Sequence, residues 1–388
     1  MTGAVAGTID VIVVAAGSSS RMAGTDKLMA PLLGRPLLAW TLDALRAATA
    51  TRRLILVVAS ERMAELGAAA WSSGHDVTLV AGGPRRQDSV AAGIVAATSA
   101  SVLVHDGARP LVSPALVDRV AQATVEHGSA VPGRPVVETL RRVRDGRFVE
   151  TIDRDGLVAA QTPQGGRRAD LLAALRRLAA DGVEATDEGV LLEATGRAVW
   201  FVDGEADNLK VTSPADLALA EALLAHRLGP PRIGQGHDSH PFGPGDGLAL
   251  GGIRIDEAPA LSGHSDGDAA LHAVADALLA ATGRGDLGRR FPAGDPSTRG
   301  IDSRSLVSAV VDELASHGWQ TIGLDLLIRG ARPRLGAARL EAMREAIAGL
   351  LGTLPSAIAV HASSGNLDGP EGAGRSISAS AIVQVVRR

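Results

Sequence analysis

In the first half of the chain, short apolar runs alternate with amphipathic stretches, and this alternation restricts the fold more than any other property. Ile9–Ala16, Arg53–Ala59, Val77–Ala81 and Ser101–His105 read as buried strands, and Pro36–Ala48, Ser89–Ala97 and Pro114–His127 as the helices between them. Strands joined through helices require right-handed crossovers, hence a mostly parallel sheet covered on both faces. Ligands then belong at the carboxyl ends of the strands. From Val131 to Gln161 the pattern loosens, and Val136–Leu140 with Phe148–Ile152 reads as a projecting β arm. A helix over Ala169–Ala180 and a strand over Ala198–Val202 follow. A last helix opens with Ser213 as N-cap, Pro214 at the first position and Asp216 at the capping-box position, and Gly229-Pro230-Pro231 stops it. Residues 1–228 therefore form one expected domain, 229–231 a linker and 232–388 a second domain. The expected class is α/β with a mostly parallel sheet and a projecting arm, followed by a two-layer α+β domain.

The second domain reads as strands at Arg232–His240, Leu248–Ile255, Thr321–Ile328, Ala357–Ser363 and Ser376–Val386, with helices at Asp268–Thr282, Ser303–His317 and Ala337–Leu351. Composition narrows its chemistry. The chain has no cysteine, which removes disulfides, thiolate zinc sites and cysteine nucleophiles, so any metal must be held by histidine and carboxylate. Six of the ten histidines, 237, 240, 264, 272, 317 and 361, fall in this domain. Four tryptophans, four phenylalanines, no tyrosine and a net charge of -4 argue against nucleic acid as a partner. Met1 to Asp10 has no basic leader region and no stretch approaches the ~18 apolar residues of a membrane span. The expectation is a cytoplasmic protein without a membrane partner.

At the end of the first strand, Ala15-Ala16-Gly17-Ser18-Ser19-Ser20-Arg21-Met22 leads to Lys27. Small residues let backbone N–H groups approach an anion, and Arg21 and Lys27 add charge suited to a triphosphate. Neither the dinucleotide fingerprint nor a P-loop is present. Further segments follow in order: Gly82-Gly83-Pro84-Arg85-Arg86-Gln87-Asp88-Ser89-Val90, Val104-His105-Asp106-Gly107-Ala108-Arg109-Pro110, Thr162-Pro163-Gln164, Thr186-Asp187-Glu188 and Asp207 to Thr212. With these, residues 7–228 resemble 2-C-methyl-D-erythritol 4-phosphate cytidylyltransferase, a Rossmann-like nucleotidyltransferase. The resemblance implies CTP and methylerythritol phosphate as substrates and a divalent cation, magnesium, as cofactor. It places the loop Ala15, Ala16, Gly17 and Arg21, with Lys27, on the phosphates and Gly82, Gly83 and Ser89 around cytosine and ribose. Asp106 falls near magnesium, and Arg154 and Lys210 match the pair that places methylerythritol phosphate. Arg109, Thr162 and, on the arm, Thr139 fall at substrate-binding positions. Ser19 stands where the family often has a second glycine. A phosphomonoester oxygen is anionic near neutral pH, so such a site needs positioning and charge neutralisation rather than a general base.

In the second domain, Asp238 and His240 are two apart on a strand and point to one face, where they can chelate one ion. Asp268, His272 and Asp276 form one stripe of the following helix. Asp238, His240 and His272 make a two-histidine, one-carboxylate set with a position left open, as in catalytic zinc sites and also non-haem iron sites. His317 reads as a cation at a helix C-terminus. The segments Arg232 to His240, Leu250-Gly251-Gly252, His264 to Asp268, Asp286-Leu287-Gly288 and Arg332-Pro333-Arg334-Leu335 resemble 2-C-methyl-D-erythritol 2,4-cyclodiphosphate synthase over residues 232–387. That resemblance implies zinc on Asp238, His240 and His272, with magnesium or manganese as a second ion. It implies His264, Ser265 and Ser364 on phosphates and Asp286, with Leu287 and Gly288, on the erythritol hydroxyls. Gly330, Pro333, Arg334, Leu335 and Ser363 match the cytidine side, and Asp295 and Asn366 fall at substrate-binding positions. Asn366 stands where a carboxylate is expected on the second ion, Ala373 where a cation is expected, and Ala293 where aspartate is frequent.

Together the two halves imply a bifunctional enzyme of the non-mevalonate isoprenoid route. It would act on CTP, methylerythritol phosphate and its diphosphocytidyl derivatives, without nucleic acid or membrane. The two families imply a homo-oligomer, with a dimer contact through the first domain and a trimer contact through the second. Two alternatives accompany this reading. One keeps the cytidylyltransferase and makes the second domain a non-catalytic assembly module. The other is a sugar-phosphate nucleotidyltransferase fused to a metal hydrolase.

Overall fold

A computed structural model of the chain describes residues 6–17, 26–69, 71, 77–292 and 300–387. The chain divides into two compact units, Met1–Ala30 with Leu37–Ala220, and Pro31–Pro36 with Glu221–Arg388.

In the first unit the sheet runs Val158–Ala160, Ser129–Pro135, Gln164–Arg167, Ser101–Asp106, Ile9–Ala15, Thr51–Val58, Val77–Ala81, and Trp200–Asp203 pairs with Ser129–Pro135. The central pairs, Ile9–Ala15 with Thr51–Val58 and with Ser101–Asp106, and Thr51–Val58 with Val77–Ala81, are parallel. Ile9–Ala15, Thr51–Val58 and Ser101–Asp106 are covered on both sides, which is why Val11, Ile12, Val13 and Leu54 to Val58 are all fully buried and the sequence shows continuous apolar runs. The helix Pro114–His127 begins where Ser113 Oγ accepts from Leu116 N–H and Pro114 takes the first position, and Gly128 ends it in the left-handed region.

One expectation needs correction here. The arm is a hairpin of Leu140–Arg144 with Arg147–Ile152, so its first strand starts at Leu140 rather than Val136. Asp145 and Gly146 both take positive φ, and that tight turn sets the register, pairing Leu140 with Ile152. The strand Gln164–Arg167 was not legible, because Gln-Gly-Gly-Arg has no apolar period. It fits through close approach instead: a Cβ on Gly165 would lie 1.8 Å from Thr124 Oγ1. The strand Val158–Ala160 and the short helix Glu188–Glu193 were missed as well.

The second unit has a five-stranded sheet in the order Ile253–Leu261, Arg232–Leu250, Ser376–Arg387, Trp319–Arg329, Ile358–Ser363. Its helices Ala269–Thr282, Ser303–Ser316 and Gly336–Leu351 contribute to one core with the inward residues of the strands, among them Leu326, Ala379, Ala381 and Val383. The expected strands at Arg232–His240 and Leu248–Ile255 are instead one long bulged strand, Arg232–Leu250, that turns back at Gly251-Gly252 into Ile253–Leu261. Both glycines have positive φ, as a two-residue hairpin turn requires. Gly234 and Gly236 let the helix Ala269–Thr282 press onto this strand, since a Cβ on either would lie 2.0 Å from the carbonyl oxygen of Ala277 or Ala273. Asp238 and His240 continue the same face, which brings them beneath His272 of that helix.

Candidate active sites

At the carboxyl ends of Ile9–Ala15 and Ser101–Asp106 lies a cavity of about 180 Å³, lined by Ala15, Ala16, Gly17, Lys27, Gly83, Arg86, Ser89, Asp106 and Lys210 among others. Gly82 and Gly83 pack against Ser89: Gly83 N–H donates to Ser89 Oγ at 3.2 Å, and a Cβ on Gly82 would lie 2.7 Å from both Ala16 Cβ and Ser89 Oγ. Asp106 is the electrostatic centre. Lys210 Nζ is 2.9 Å from its Oδ2, Arg86 Nη2 is 3.4 Å from Oδ1 and Arg109 Nε is 3.6 Å from Oδ2. Burial alone would raise this carboxyl, but Lys210, Arg86 and Arg109 hold it far below the usual range. Behind it, the fully buried Glu188 takes both ends of the Arg86 guanidinium, at 2.9 and 3.3 Å. Burial works against the charge on Arg86, and Glu188 and Asp106 outweigh it, so Arg86 is held ionised.

His105 is buried and neutral, pushed down to about 4 chiefly by desolvation. The Thr162 hydroxyl donates to His105 Nδ1 (3.1 Å), Asp106 N–H donates to Thr162 Oγ1 (3.1 Å), and His105 Nε2–H donates to the Arg109 carbonyl (3.3 Å). Arg109 Nη1 in turn donates to the Asn208 carbonyl at 2.7 Å. Of the sequence-derived set, Arg154 and Thr139 are exposed on the arm and do not line this cavity; Arg154 donates to the Val137 carbonyl. Arg21 lies outside the described residues, as do Ser18, Ser19 and Ser20. Arg86 and Glu188 escaped the sequence reading although both sit in quoted motifs. Nothing local signals a pair formed across 102 residues.

In the second unit Asp238, His240 and His272 converge. Asp238 Oδ2 is 2.7 Å from His240 Nε2 and 2.8 Å from His272 Nδ1, and the two nitrogens are 3.2 Å apart. Ligand atoms around tetrahedral zinc are separated by about 3.3 Å, so the set is nearly at metal-binding geometry. Among the described residues it is the one histidine and carboxylate group close enough to hold an ion. His240 Nδ1–H donates to the Ser262 carbonyl at 2.9 Å, which leaves Nε2 as its ligand atom. Asp238 is depressed well below the usual carboxylate range, because its bonds to His240 and His272 outweigh burial.

The stripe Asp268, His272, Asp276 contributes only its middle member. Asp268 is the helix N-cap, accepting from Leu271, Gly251 and Gly252 N–H, and Asp276 accepts from Leu287 N–H at 2.6 Å. Asp286 caps the short helix Leu287–Arg290, which holds Leu287 and Gly288. Ser265 Oγ is 3.0 Å from His272 Nε2, and His264 is exposed beside it. Gly330, Pro333, Arg334, Leu335, Ser363 and Ser364 line one groove of about 450 Å³. Asn366 is exposed at φ 51, a left-handed position asparagine tolerates. Asp295 and Ala293 lie outside the described residues. His317 caps the helix Ser303–Ser316, its Nδ1 2.8 Å from the Glu313 carbonyl.

A cation-lined pocket at the strand ends of a mostly parallel sheet, followed by a two-layer domain with a two-histidine, one-carboxylate cluster, defines an enzyme with two separate sites for phosphate chemistry. Residues 9–226 match the family model for 2-C-methyl-D-erythritol 4-phosphate cytidylyltransferase (IspD), and residues 231–386 match the YgbB family. The chain is similar to the bifunctional enzyme IspD/IspF of Anaeromyxobacter dehalogenans (strain 2CP-C), 41% identical over 379 residues, covering 97% of each. The corresponding protein of Rhodospirillum rubrum is 40% identical over 377 residues, covering 96% of this chain and 97% of its own. A solved 4-diphosphocytidyl-2C-methyl-D-erythritolsynthase from Anaerococcus prevotii DSM 20548 superimposes with a TM-score of 0.50 at 26% identity, over 56% of this chain and 96% of that one. The chain belongs to the bifunctional IspD/IspF family of isoprenoid biosynthesis, with a cytidylyltransferase domain followed by a cyclodiphosphate synthase domain. The match of the second half removes the metal-hydrolase alternative.

Proposed function

We propose that the first pocket joins CTP to methylerythritol 4-phosphate. A phosphate oxygen of methylerythritol 4-phosphate attacks the α-phosphorus of CTP, and the bond to the bridging oxygen breaks with its electron pair leaving on pyrophosphate. The observation that carries this reading is the array of Lys210, Arg86 and Arg109 on Asp106 beside Lys27, a site charged for polyanions. The nucleophile is already ionised, so no base is needed. His105 agrees, since it is buried with both ring nitrogens bonded and is not a base. Arg21 and Lys27 neutralise the α-phosphate, and Gly82, Gly83 and Ser89 face base and ribose. Lys210 places the second substrate, with Arg109 and Thr162; Arg154 and Thr139, which do not line this cavity, would join them only from an arm that reaches it. Three cations already face Asp106, so these residues do not form a free-standing ion site; magnesium would enter with the triphosphate.

In the second unit, a 2-phosphate oxygen attacks the β-phosphate of diphosphocytidyl-methylerythritol 2-phosphate, closing the 2,4-cyclodiphosphate and expelling CMP. Asp238, His240 and His272 would hold zinc, which supplies charge neutralisation and orientation of the phosphates. His264, Ser265 and Ser364 hold phosphate oxygens, Asp286 with Leu287 and Gly288 the erythritol hydroxyls, and the groove from Gly330 to Leu335 with Ser363 the cytidine. Asp295 and Asn366 complete the substrate contacts, and with Asn366 a second ion, magnesium or manganese, has one carboxylate fewer. The domains are proposed to meet at residues 229–231. The protein is proposed to act in the cytoplasm as a homo-oligomer, supported on the arm by the exposed Val143 and Phe148 and on the second sheet by the exposed Ile233 and Ile382.

Assaying the full chain with each substrate separately tests both halves. Lys27→Ala should abolish cytidylyl transfer and spare CMP release; His272→Ala should do the reverse and lose bound zinc. An effect of either on both reactions contradicts two independent sites. Because Asn366 and Ala373 depart from the family pattern, failure of the parent chain to release CMP at any metal concentration would favour the assembly-module reading.

A further inference from the structure

Ser303 belongs to none of the motifs, yet it touches the metal cluster. It is the first residue of the helix Ser303–Ser316 and fully buried. Its Oγ lies 3.0 Å from His272 Nε2 and 2.5 Å from Asp266 Oδ1, and its N–H donates to Asp266 Oδ2 at 3.2 Å. Asp266 is fixed in turn, its own N–H donating to the Ile301 carbonyl at 3.1 Å.

Proton bookkeeping then selects one arrangement. An ionised carboxylate only accepts, so the Ser303 hydroxyl proton goes to Asp266. What the hydroxyl turns toward His272 Nε2, and toward the Ser265 hydroxyl 3.4 Å away, is a lone pair that either an Nε2–H or the Ser265 O–H can satisfy. Without an ion, His272 Nδ1 lies 2.8 Å from the Asp238 carboxylate, which can only accept; an ion held by Asp238, His240 and His272 would take the Nδ1 lone pair, and the Nε2–H would then point at the Ser303 oxygen. Ser265 Oγ is equally near Nε2 but accepts from Gly267 N–H at 3.2 Å and bonds no carboxylate among the described residues, so it can serve either tautomer. His240 reaches the same condition through the Ser262 carbonyl. We infer that Asp266 and Ser303 form a carboxylate–hydroxyl relay that would accept the Nε2–H of His272 when Nδ1 binds an ion, and so favours Nδ1 as the metal ligand; this rests on reading Asp238, His240 and His272 as a metal site. Ser303 is a positioning residue, with no contact to the reacting atoms.

The full-length chain, Ser303→Ala and Asp266→Asn are compared for zinc affinity by chelator competition, and for the Nε2–H of His272 by nitrogen NMR of the zinc-loaded proteins. Outer-sphere partners of metal-bound histidines are typically worth ~10–100-fold in affinity. Ser303→Ala should lose zinc affinity in that range and shift the His272 Nε2–H resonance. Asp266→Asn should move both readouts in the same direction by less. An unchanged urea midpoint of the second unit shows that the variants are folded. Variants that bind zinc as tightly as a zinc-binding parent overturn the relay. A parent that binds no zinc overturns the metal-site reading instead, and a His272 Nε2–H resonance that Ser303→Ala leaves in place overturns the relay independently.

Discussion

In the first unit the cations that face the pocket are held by carboxylates from separate segments, whereas in the second the site is built from two imidazoles and one carboxylate fixed by hydroxyls and a backbone carbonyl. Asp106 and Glu188 hold Arg86 between them, and Asp106 also takes Lys210 and Arg109. Asp238, His240 and His272 instead bring three possible ligand atoms together. The first unit thus carries its positive charge as side chains and must compensate it before the polyanion arrives. The second leaves its charge to an ion, and its residues need correct tautomers more than compensation.

The strongest way to break this contrast is to remove compensation from the first unit. Glu188→Ala leaves Arg86 without its bidentate partner, and losing one member of a buried pair costs about 3–5 kcal/mol. Denaturant unfolding of the first unit should show that loss, with zinc affinity of the second unit unchanged. A loss under about 1 kcal/mol would mean that the pair is not compensating Arg86. Next in size is the pocket charge itself. Lys210→Met should lower kcat/KM for cytidylyl transfer by roughly 10²–10³-fold, the usual effect of deleting one preorganised charge donor, while CMP release stays within twofold. Comparable loss in both reactions would dissolve the distinction between the two sites.

The buried His105 gives the first unit a pH dependence of predictable sign. Its folded pKa, about 4, lies below the unfolded value of 6.5, so the unfolded chain binds the extra proton first. The stability due to neutral His105 is complete above pH 6.5 and is lost as pH falls from 6.5 toward 4. A depression of this size amounts to about 3 kcal/mol. Urea midpoints of the first unit should fall across that window, and His105→Gln should flatten the fall; an unchanged slope would show that His105 titrates normally.

How much of this was legible followed from how local each signal was. Strands buried on both faces announce themselves as apolar runs, so Ile9–Ala15 and Ser101–Asp106 were found almost to the residue. Asp238 and His240 were legible because strand periodicity places alternate residues on one face. Gln164–Arg167 was not, since its strand conformation is imposed by neighbours on both sides. The same holds for Glu188 with Arg86 and for Ser303 with His272: each pair spans tens of residues, and its members look like surface charge or an ordinary helix start until the fold closes. Arg154 shows the converse. A motif position was recognisable while its place in one chain, out on the arm, was not.

The smallest effect separates the two units by their helix caps. In the first, Ser113 Oγ accepts a single N–H, from Leu116, at 3.0 Å. In the second, the buried Asp268 accepts three, from Leu271, Gly251 and Gly252, and so ties the hairpin turn to the helix that carries His272. Ser113→Ala deletes one cap at a helix end that can still reach water, and should cost the first unit about 1 kcal/mol without changing either reaction. Asp268→Ala strands three backbone donors in a buried place, each worth about 1–3 kcal/mol, and displaces the start of the helix that carries His272. It should therefore cost more than Ser113→Ala and, unlike it, lower zinc affinity. Equal losses from the two caps, read as shifts in urea midpoint, would show that Asp268 serves only as an N-cap and that the second unit does not use its backbone to place its ligands.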